Sequence, residues 1–319
     1  MRLSNSRAKT WRRCPKQYEV KYVRKLERKR KSTALYRGDW LHQLLMVHYD
    51  GHDWRERHAE LSVKFLNMFE EEREELGDIP AECSRIMRSY LMHYRQDDKA
   101  LRVVDSELDE VLILPSGDEF NFIIDLVVEE PDGGLWLWDH KTVKNFMPQD
   151  FMLMDSQLAR YFWAAETMGY TPLRGVMFNE LITKPPTLPD VLPSTGRLTE
   201  RQNLQCDVYS YYREIKAQGQ DPKSYAKTLN RLRAQSDRWF RRTPLPKSRQ
   251  LMKLTMDELM WTAREIEAAV EHGHYPRTTD KSCTWGCDFQ DICMIEYMGG
   301  DISDLVKLNY QQRGPREGK

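Results

Sequence analysis

The stretch "FNFIIDLVVEEPDGGLWLWDHKTV" (Phe120–Val143) sets two apolar runs on either side of Pro131-Asp132-Gly133-Gly134. Runs rich in β-branched and aromatic residues around a Pro/Gly turn predict a β-hairpin. Side chains alternate between faces along a strand, so Leu135, Leu137, Asp139 and Lys141 share one face. Trp136, Trp138 and His140 take the other. Asp125 interrupts the first run, where a carboxylate is costly unless it has a partner. The tripeptide [D/E]-x-K occurs seven times in the chain, but only Asp139-His140-Lys141 ends a strongly apolar strand. Such an Asp–Lys pair can be a salt bridge at a sheet edge. Two carboxylates on neighbouring strands can also hold Mg²⁺ or Mn²⁺, which prefer hard oxygen ligands, with the lysine neutralising a phosphoryl group.

Outward from the hairpin, "SELDEVLIL" predicts a strand just before it, and residues 1–100 read mainly as helices. In "STALYRGDWLHQLLMVHYDG" the spacing of Leu35, Leu41, Leu44 and Leu45 is helical, with Ser32 or Thr33 as N-cap. "FEEEREELGD" (Phe69–Asp78) predicts an exposed acidic helix. After the hairpin come a helix, "DSQLARYFWAAETMG", an apolar strand, "LRGVMFNELI", and a Pro-rich loop, Lys184–Arg197. Residues 200–272 return to helical spacing. The expected division is a single domain over 1–319. It comprises a helical part (1–100) with Cys14 and His42, a core (101–183), a loop and helical insertion (184–272), and a cysteine-bearing end (273–319). This order of elements indicates an α/β or α+β fold with a helical periphery.

Of the 319 residues, 40% are hydrophobic and 31% charged, the composition of a soluble chain with a substantial core. No apolar run approaches the roughly 20 residues that cross a bilayer, and the N-terminus lacks a signal-peptide apolar region. A cytoplasmic, reducing location with no membrane partner is the expectation. Lys+Arg and Asp+Glu balance at 49 each, yet Arg2–Lys31 holds 13 basic residues against two acidic ones. Such a block is either a solvated face or a phosphate-binding surface. Arg28, Lys29, Arg30 and Lys31, with Arg241 and Arg242, are candidate phosphate contacts, and Trp239 and Tyr161 are candidates to stack on bases. Three of the six cysteines fall in "CTWGCDFQDIC" (Cys283–Cys293), spaced C-x₃-C-x₅-C. In a reducing compartment they read as metal ligands. Four thiolates suit zinc or an iron–sulfur cluster, and spacing alone does not separate the two.

The hairpin with Asp125 and Asp139-His140-Lys141 resembles the two core motifs of the PD-(D/E)XK nuclease superfamily, in its RecB-type branch. "GDWLH" (Gly38–His42) resembles that branch's G-x-x-x-H motif, and "QLARY" (Gln157–Tyr161) its Q-x-x-x-Y motif, in the family order. The resemblance implies a restriction-endonuclease-like core, a central mixed sheet flanked by helices. It further implies that His42, Asp125, Asp139 and the backbone carbonyl of His140 bind metal, that Lys141 is catalytic, and that Gln157 and Tyr161 face DNA. Glu107 stands where an acidic residue is often seen on the first core strand. Phe122 departs from the family, which commonly has glycine there.

"SRAKTWRRCPKQY" resembles the opening of a subgroup that includes the AddB nuclease domain, CRISPR-associated RecB-like exonucleases and many phage nucleases. In these, one N-terminal and three C-terminal cysteines hold a [4Fe–4S] cluster. The resemblance assigns that role to Cys14, Cys283, Cys287 and Cys293, with a first gap one residue longer than usual. Cys83 and Cys206 have no nearby partners in sequence. "SYAKTLNRLRAQSDRWFRRTPL" is similar to phage members. The expectation is a metal-dependent exonuclease on single-stranded DNA or DNA ends, in a bacterial or phage-infected cell. The chain has no G-x-x-x-x-G-K-[S/T] motif, so helicase action would need a helicase or recombination partner protein. Two other readings are a DNA-end-binding or assembly subunit on the same fold, and a zinc-stabilised DNA-binding protein.

Overall fold

The structure, a computed structural model, describes residues 1–246 and 248–314; residues 315–319 of the expected C-terminal part lie outside the described residues. Eight strands occur among the described residues: β1 (Arg2–Ser4), β2 (Leu26–Arg28), β3 (Arg102–Ile113), β4 (Glu119–Glu129), β5 (Leu135–Val143), β6 (Leu173–Ile182), β7 (Phe240–Pro246) and β8 (Tyr310–Gln312). The hairpin read from the sequence is β4–β5. Gly133 takes the left-handed φ of 83° that its turn demands, and the Gly134 N–H donates to Asp132 Oδ1 at 3.1 Å. The strands run antiparallel from Glu129↔Leu135 to Leu126↔Trp138.

From β5 the chain crosses through the Ser156–Thr167 helix to β6, which lies parallel to β5, as a βαβ unit requires. β7 completes this side antiparallel to β6, and the sheet order is β1-β4-β5-β6-β7, with β3 paired to β4. The result is the expected mixed sheet flanked by helices. Gly175 is required where β5, β6 and β7 meet, because a Cβ there would lie 2.5 Å from the Leu245 carbonyl oxygen. β7 falls in the segment read as helical. Pro244 and Pro246, which cannot donate to a ladder, sit in this strand at the end of the sheet order, where prolines are tolerated. β1 and β2 likewise lie within the stretch read as mainly helical, each three residues long.

The chain divides into two compact units, one formed by 32–108 and 124–247, the other by 1–31, 109–123 and 248–319. In the larger unit, the Thr33–Tyr49, Trp54–Leu66 and Ile79–His93 helices build one apolar core with the sheet. Trp40, Leu41, Leu44, Leu45, Ile86 and Tyr90 pack with Leu126, Val128, Trp138 and Phe240. Ser32 is the N-cap of the first of these helices, its side chain accepting from the Leu35 N–H. A second cluster, around Tyr211, Ile215, Tyr225 and Leu232, ties the segment after Leu198 to the Val208–Ala217 and Ala226–Ala234 helices.

In the smaller unit, β1 lies parallel to the start of β4, Leu3 opposite Phe120. The Asn5–Arg13 helix is bonded to the Arg249–His272 helix through Trp11 Nε1 to Glu265 (2.9 Å) and Arg12 Nε to Thr262 (3.0 Å). Residues near the two chain ends pair as β2 and β8, over a core of Val20, Leu26, Phe289, Ile292 and Tyr310. Phe122, at the family's glycine position, is buried and stacked on Phe120 at 5.7 Å. No helix among the described residues is long and apolar enough to cross a membrane.

Candidate functional site

The β4–β5 ladder stops at Leu126↔Trp138, and the next residue on each strand is a carboxylate, Asp125 and Asp139. There the Asp125 side chain takes over from the backbone: its Oδ2 accepts the His140 N–H at 2.6 Å. An extended residue points its N–H and C=O to the same side, so the His140 carbonyl faces the Asp125 side as well. His42, on the Thr33–Tyr49 helix, brings Nδ1 to 3.8 Å from Asp125 Oδ2. Glu107 joins them from β3. His42, Glu107 and Asp125 each offer a ligand atom within 4.8 Å of the other two. Glu107 has φ 46°, a left-handed conformation that costs a non-glycine residue free energy and that tends to recur at functional sites.

Asp139 is almost wholly buried. Its Oδ1 accepts from Lys141 Nζ at 2.8 Å and from Gln157 Nε2 at 3.2 Å. Oδ2 lies equally close to the ammonium, yet it is buried and accepts no aligned hydrogen bond. Gln157 also donates to the Tyr161 hydroxyl at 2.9 Å, so the two residues one turn apart face the carboxylate together. Burial pushes the Asp139 carboxyl up to about 6, with Lys141 opposing and Asp125 adding to the shift. The Lys141 ammonium is held well above its ordinary range, since Asp139 and Asp125 outweigh the cost of its burial. Burial keeps the His140 imidazole neutral, down to about 3.

These directions carry a prediction. A carboxyl raised in the native state favours the protonated form there, so its stability contribution is present below the unfolded value and is lost as pH rises through about 6. A divalent cation needs the ionised form. The Tm gained on adding Mn²⁺ should therefore be small at about pH 5 and grow towards about pH 7. Thermal melts with and without Mn²⁺ measure this, and equal gains at both values would remove Asp139 from the ligand set.

The basic candidates are largely committed to protein partners. Arg28 Nε donates to the Asp288 carbonyl (2.7 Å) and its guanidinium pairs with Asp291 (3.2 Å), while Lys29 Nζ donates to the Lys307 carbonyl (2.6 Å). Arg30 and Lys31 are exposed. Arg241 is held by the fully buried Glu180 and by the Met147 carbonyl. Arg242 lies in the core against Asp98. Tyr161 and Trp239 are both buried. Residues the sequence reading passed over are Asn179 and Glu180, two polar groups inside an apolar strand run and both fully buried. The signal that singled out Asp125 was present there too.

In the smaller unit, Cys14, Cys283, Cys287 and Cys293 line one cavity of about 700 Å³. Cys14 ends the Asn5–Arg13 helix and precedes Pro15, the first residue of the next helical turn. The Thr278 N–H donates to Cys14 Sγ at 3.4 Å, and the Cys283 thiol donates to the Thr278 carbonyl at 3.8 Å. The Cys287 thiol is raised by burial, with a bond from the Phe289 N–H opposing and proximity to Cys283 and Cys14 adding to the rise. Cys83 and Cys206 are buried elsewhere, in the larger unit, Cys83 pushed up to about 12 by burial. Comparison with curated proteins gave no match. The family model of the PD-(D/E)XK nuclease superfamily matches residues 2–294, nearly the whole chain: the chain belongs to that superfamily.

Proposed function

We propose that the chain is a metal-dependent deoxyribonuclease of the RecB-type branch, an exonuclease on single-stranded DNA or DNA ends that carries a structural [4Fe–4S] cluster. The observation that carries this reading is the convergence of His42, Glu107 and Asp125 within 4.8 Å, beside a buried Asp139 paired with Lys141. One imidazole nitrogen and several carboxylate oxygens suit Mn²⁺ or Mg²⁺. Asp139 Oδ2, buried without an aligned hydrogen bond, is a further oxygen donor, as is the His140 carbonyl that the family resemblance assigns to the metal. When bound, the cation supplies an activated water and neutralises phosphoryl charge.

The protein's own groups divide the remaining work. Lys141 is held protonated, so it serves as a cation and hydrogen-bond donor to a phosphate oxygen and not as a base. Gln157, itself bonded to Tyr161, sets the plane of the Asp139 carboxylate before substrate arrives. The end preference is drawn from the RecB-type order of His42, Gln157 and Tyr161. Without a phosphate-binding loop, duplex unwinding falls to a partner protein. An end-binding or assembly subunit would have no use for these intact donors.

For the cluster, the support is a cavity lined by all four cysteines, with backbone N–H groups aimed at two of the sulfurs. Four thiolates suit zinc and iron alike, and iron is favoured by the resemblance of Cys14-Pro15 and the C-terminal cysteines to the iron–sulfur subgroup. Thiolate ligation of this kind belongs to a reducing compartment such as the cytoplasm.

Linear and circular single-stranded DNA of equal length, incubated with protein and Mn²⁺, test the activity. Loss of the linear form with survival of the circle is expected. Equal loss of both would make the protein an endonuclease, and survival of both would leave the end-binding reading.

A further inference from the structure

On the face of β5 opposite Asp139 lies a polar network that none of the roles above uses. Asn179, the β6 partner of His140 in the parallel pairing, is fully buried. Its side-chain nitrogen lies 2.7 Å from His140 Nδ1 and donates to the Tyr90 hydroxyl at 2.9 Å. The Tyr90 and Tyr49 hydroxyls are 2.8 Å apart. The Tyr49 ring stacks on the His140 imidazole, centroids 5.7 Å apart and planes inclined by 14°. From β7, Arg242 donates to Tyr49 (3.0 Å) and Tyr90 (2.9 Å), and pairs with Asp98 at 2.5 Å. Its guanidinium lies over the rings of Tyr94 (3.5 Å) and Trp138 (4.3 Å).

A guanidinium and a buried amide in an apolar core cost more to desolvate than hydrocarbon of the same volume, so pure packing does not explain them. The network runs from Asp98 at one end to the His140 side chain at the other. The His140 peptide lies where β4 and β5 have parted, and its N–H is held by the Asp125 carboxylate instead of a β4 carbonyl. With β4 gone on that side, the Asp125 carboxylate, the β6 ladder and the grip on the imidazole together set its orientation. We infer that Asn179, Tyr90 and Arg242 are positioning residues of the metal site. They clamp the His140 imidazole from behind the sheet, and so fix the His140 peptide and the Asp125 carboxylate bonded to it. The inference rests on the metal-dependent reading above. Groups that orient ligands from behind typically change metal affinity or activity about 10–100-fold when removed.

The test is Mn²⁺ binding to the whole protein without nucleic acid, followed by electron paramagnetic resonance, alongside thermal melts and cleavage at varied Mn²⁺. Tyr90→Phe removes one hydroxyl from the centre of the network, and Asn179→Ala removes the contact to His140. Both should weaken Mn²⁺ binding about 10-fold or more and raise the Mn²⁺ needed for half-maximal cleavage in step, with saturating Mn²⁺ restoring most of the rate. Leu44→Ala, in the same core without a polar link to His140, should lower Tm and leave Mn²⁺ affinity alone. If Asn179→Ala fails to fold, Tyr90→Phe carries the test. Lowered Tm with unchanged Mn²⁺ affinity in the foldable variants would overturn the inference while leaving the metal site standing. If the wild type bound no Mn²⁺, or Asp125→Ala bound it normally, the metal-site reading and this inference would fall together.

Discussion

Asp139→Ala should lower Mn²⁺-dependent cleavage of single-stranded DNA by about 10³-fold or more, the scale expected when a ligand of a catalytic cation is lost. Asp139 is almost wholly buried beside the His42, Glu107 and Asp125 group and is held by Lys141 and Gln157. Lys141→Ala should cost about 10²–10³-fold, because it removes a preorganised cation aimed at the charge that develops on phosphate. The fold should survive both changes. Asp139 sits where the β4–β5 ladder has already ended, and Lys141 is only half-buried, so neither change opens a large cavity. Circular dichroism and melts establish folding, and single-turnover cleavage at saturating DNA isolates the chemical step. Wild-type rates from a folded Asp139→Ala protein would refute the assignment of this site.

Cys14→Ala should abolish the visible absorption and iron content of protein purified without oxygen, while Cys83→Ala and Cys206→Ala retain both. Cys14 brings its sulfur to a cavity otherwise lined by cysteines of the C-terminal segment, about 270 residues away along the chain. The stability cost is bounded by what already joins these segments. β2 and β8 pair directly. Lys16 and Arg24 both pair with Glu19 and Glu296, at 2.5–2.8 Å. The smaller unit should therefore lose the several kcal/mol that ligand binding adds to folding without coming apart. A drop in Tm of about 10 °C corresponds to a loss of that size in a chain this long. Full iron in the Cys14→Ala protein would exclude it as a ligand, and stoichiometric zinc without iron in the wild type would replace the cluster with a zinc site.

Local pattern determined the hairpin at the centre of this protein. Alternation with period two, broken by Pro131-Asp132-Gly133-Gly134, is a property of neighbouring residues, and it places Asp139 and Lys141 on one face and His140 on the other without reference to any distant contact. The pairing of Gln157 with Tyr161 was legible for the same reason, since i and i+4 on a helix are neighbours by geometry. The cap at Ser32 and the Ser156–Thr167 helix belong to this class as well.

What the sequence did not determine are features whose cause lies far along the chain. β7 reads as charged and Pro-rich, and it is a strand because β6 offers it an edge. The three-residue strands β1, β2 and β8 are too short to carry a period, so only their partners define them. The larger and smaller units exchange chain within β3 and β4, with no change of composition to mark the boundary. Glu107 meets His42 and Asp125 through a left-handed backbone that no local residue pattern demands. Arg242 stands in the sequence beside Arg241 as one of two surface-like cations, yet Asp98, 144 positions away, three aromatic rings and the Tyr49 hydroxyl draw it inside. Secondary structure follows from nearest neighbours, whereas the partner that makes a buried charge tolerable is chosen by the tertiary fold.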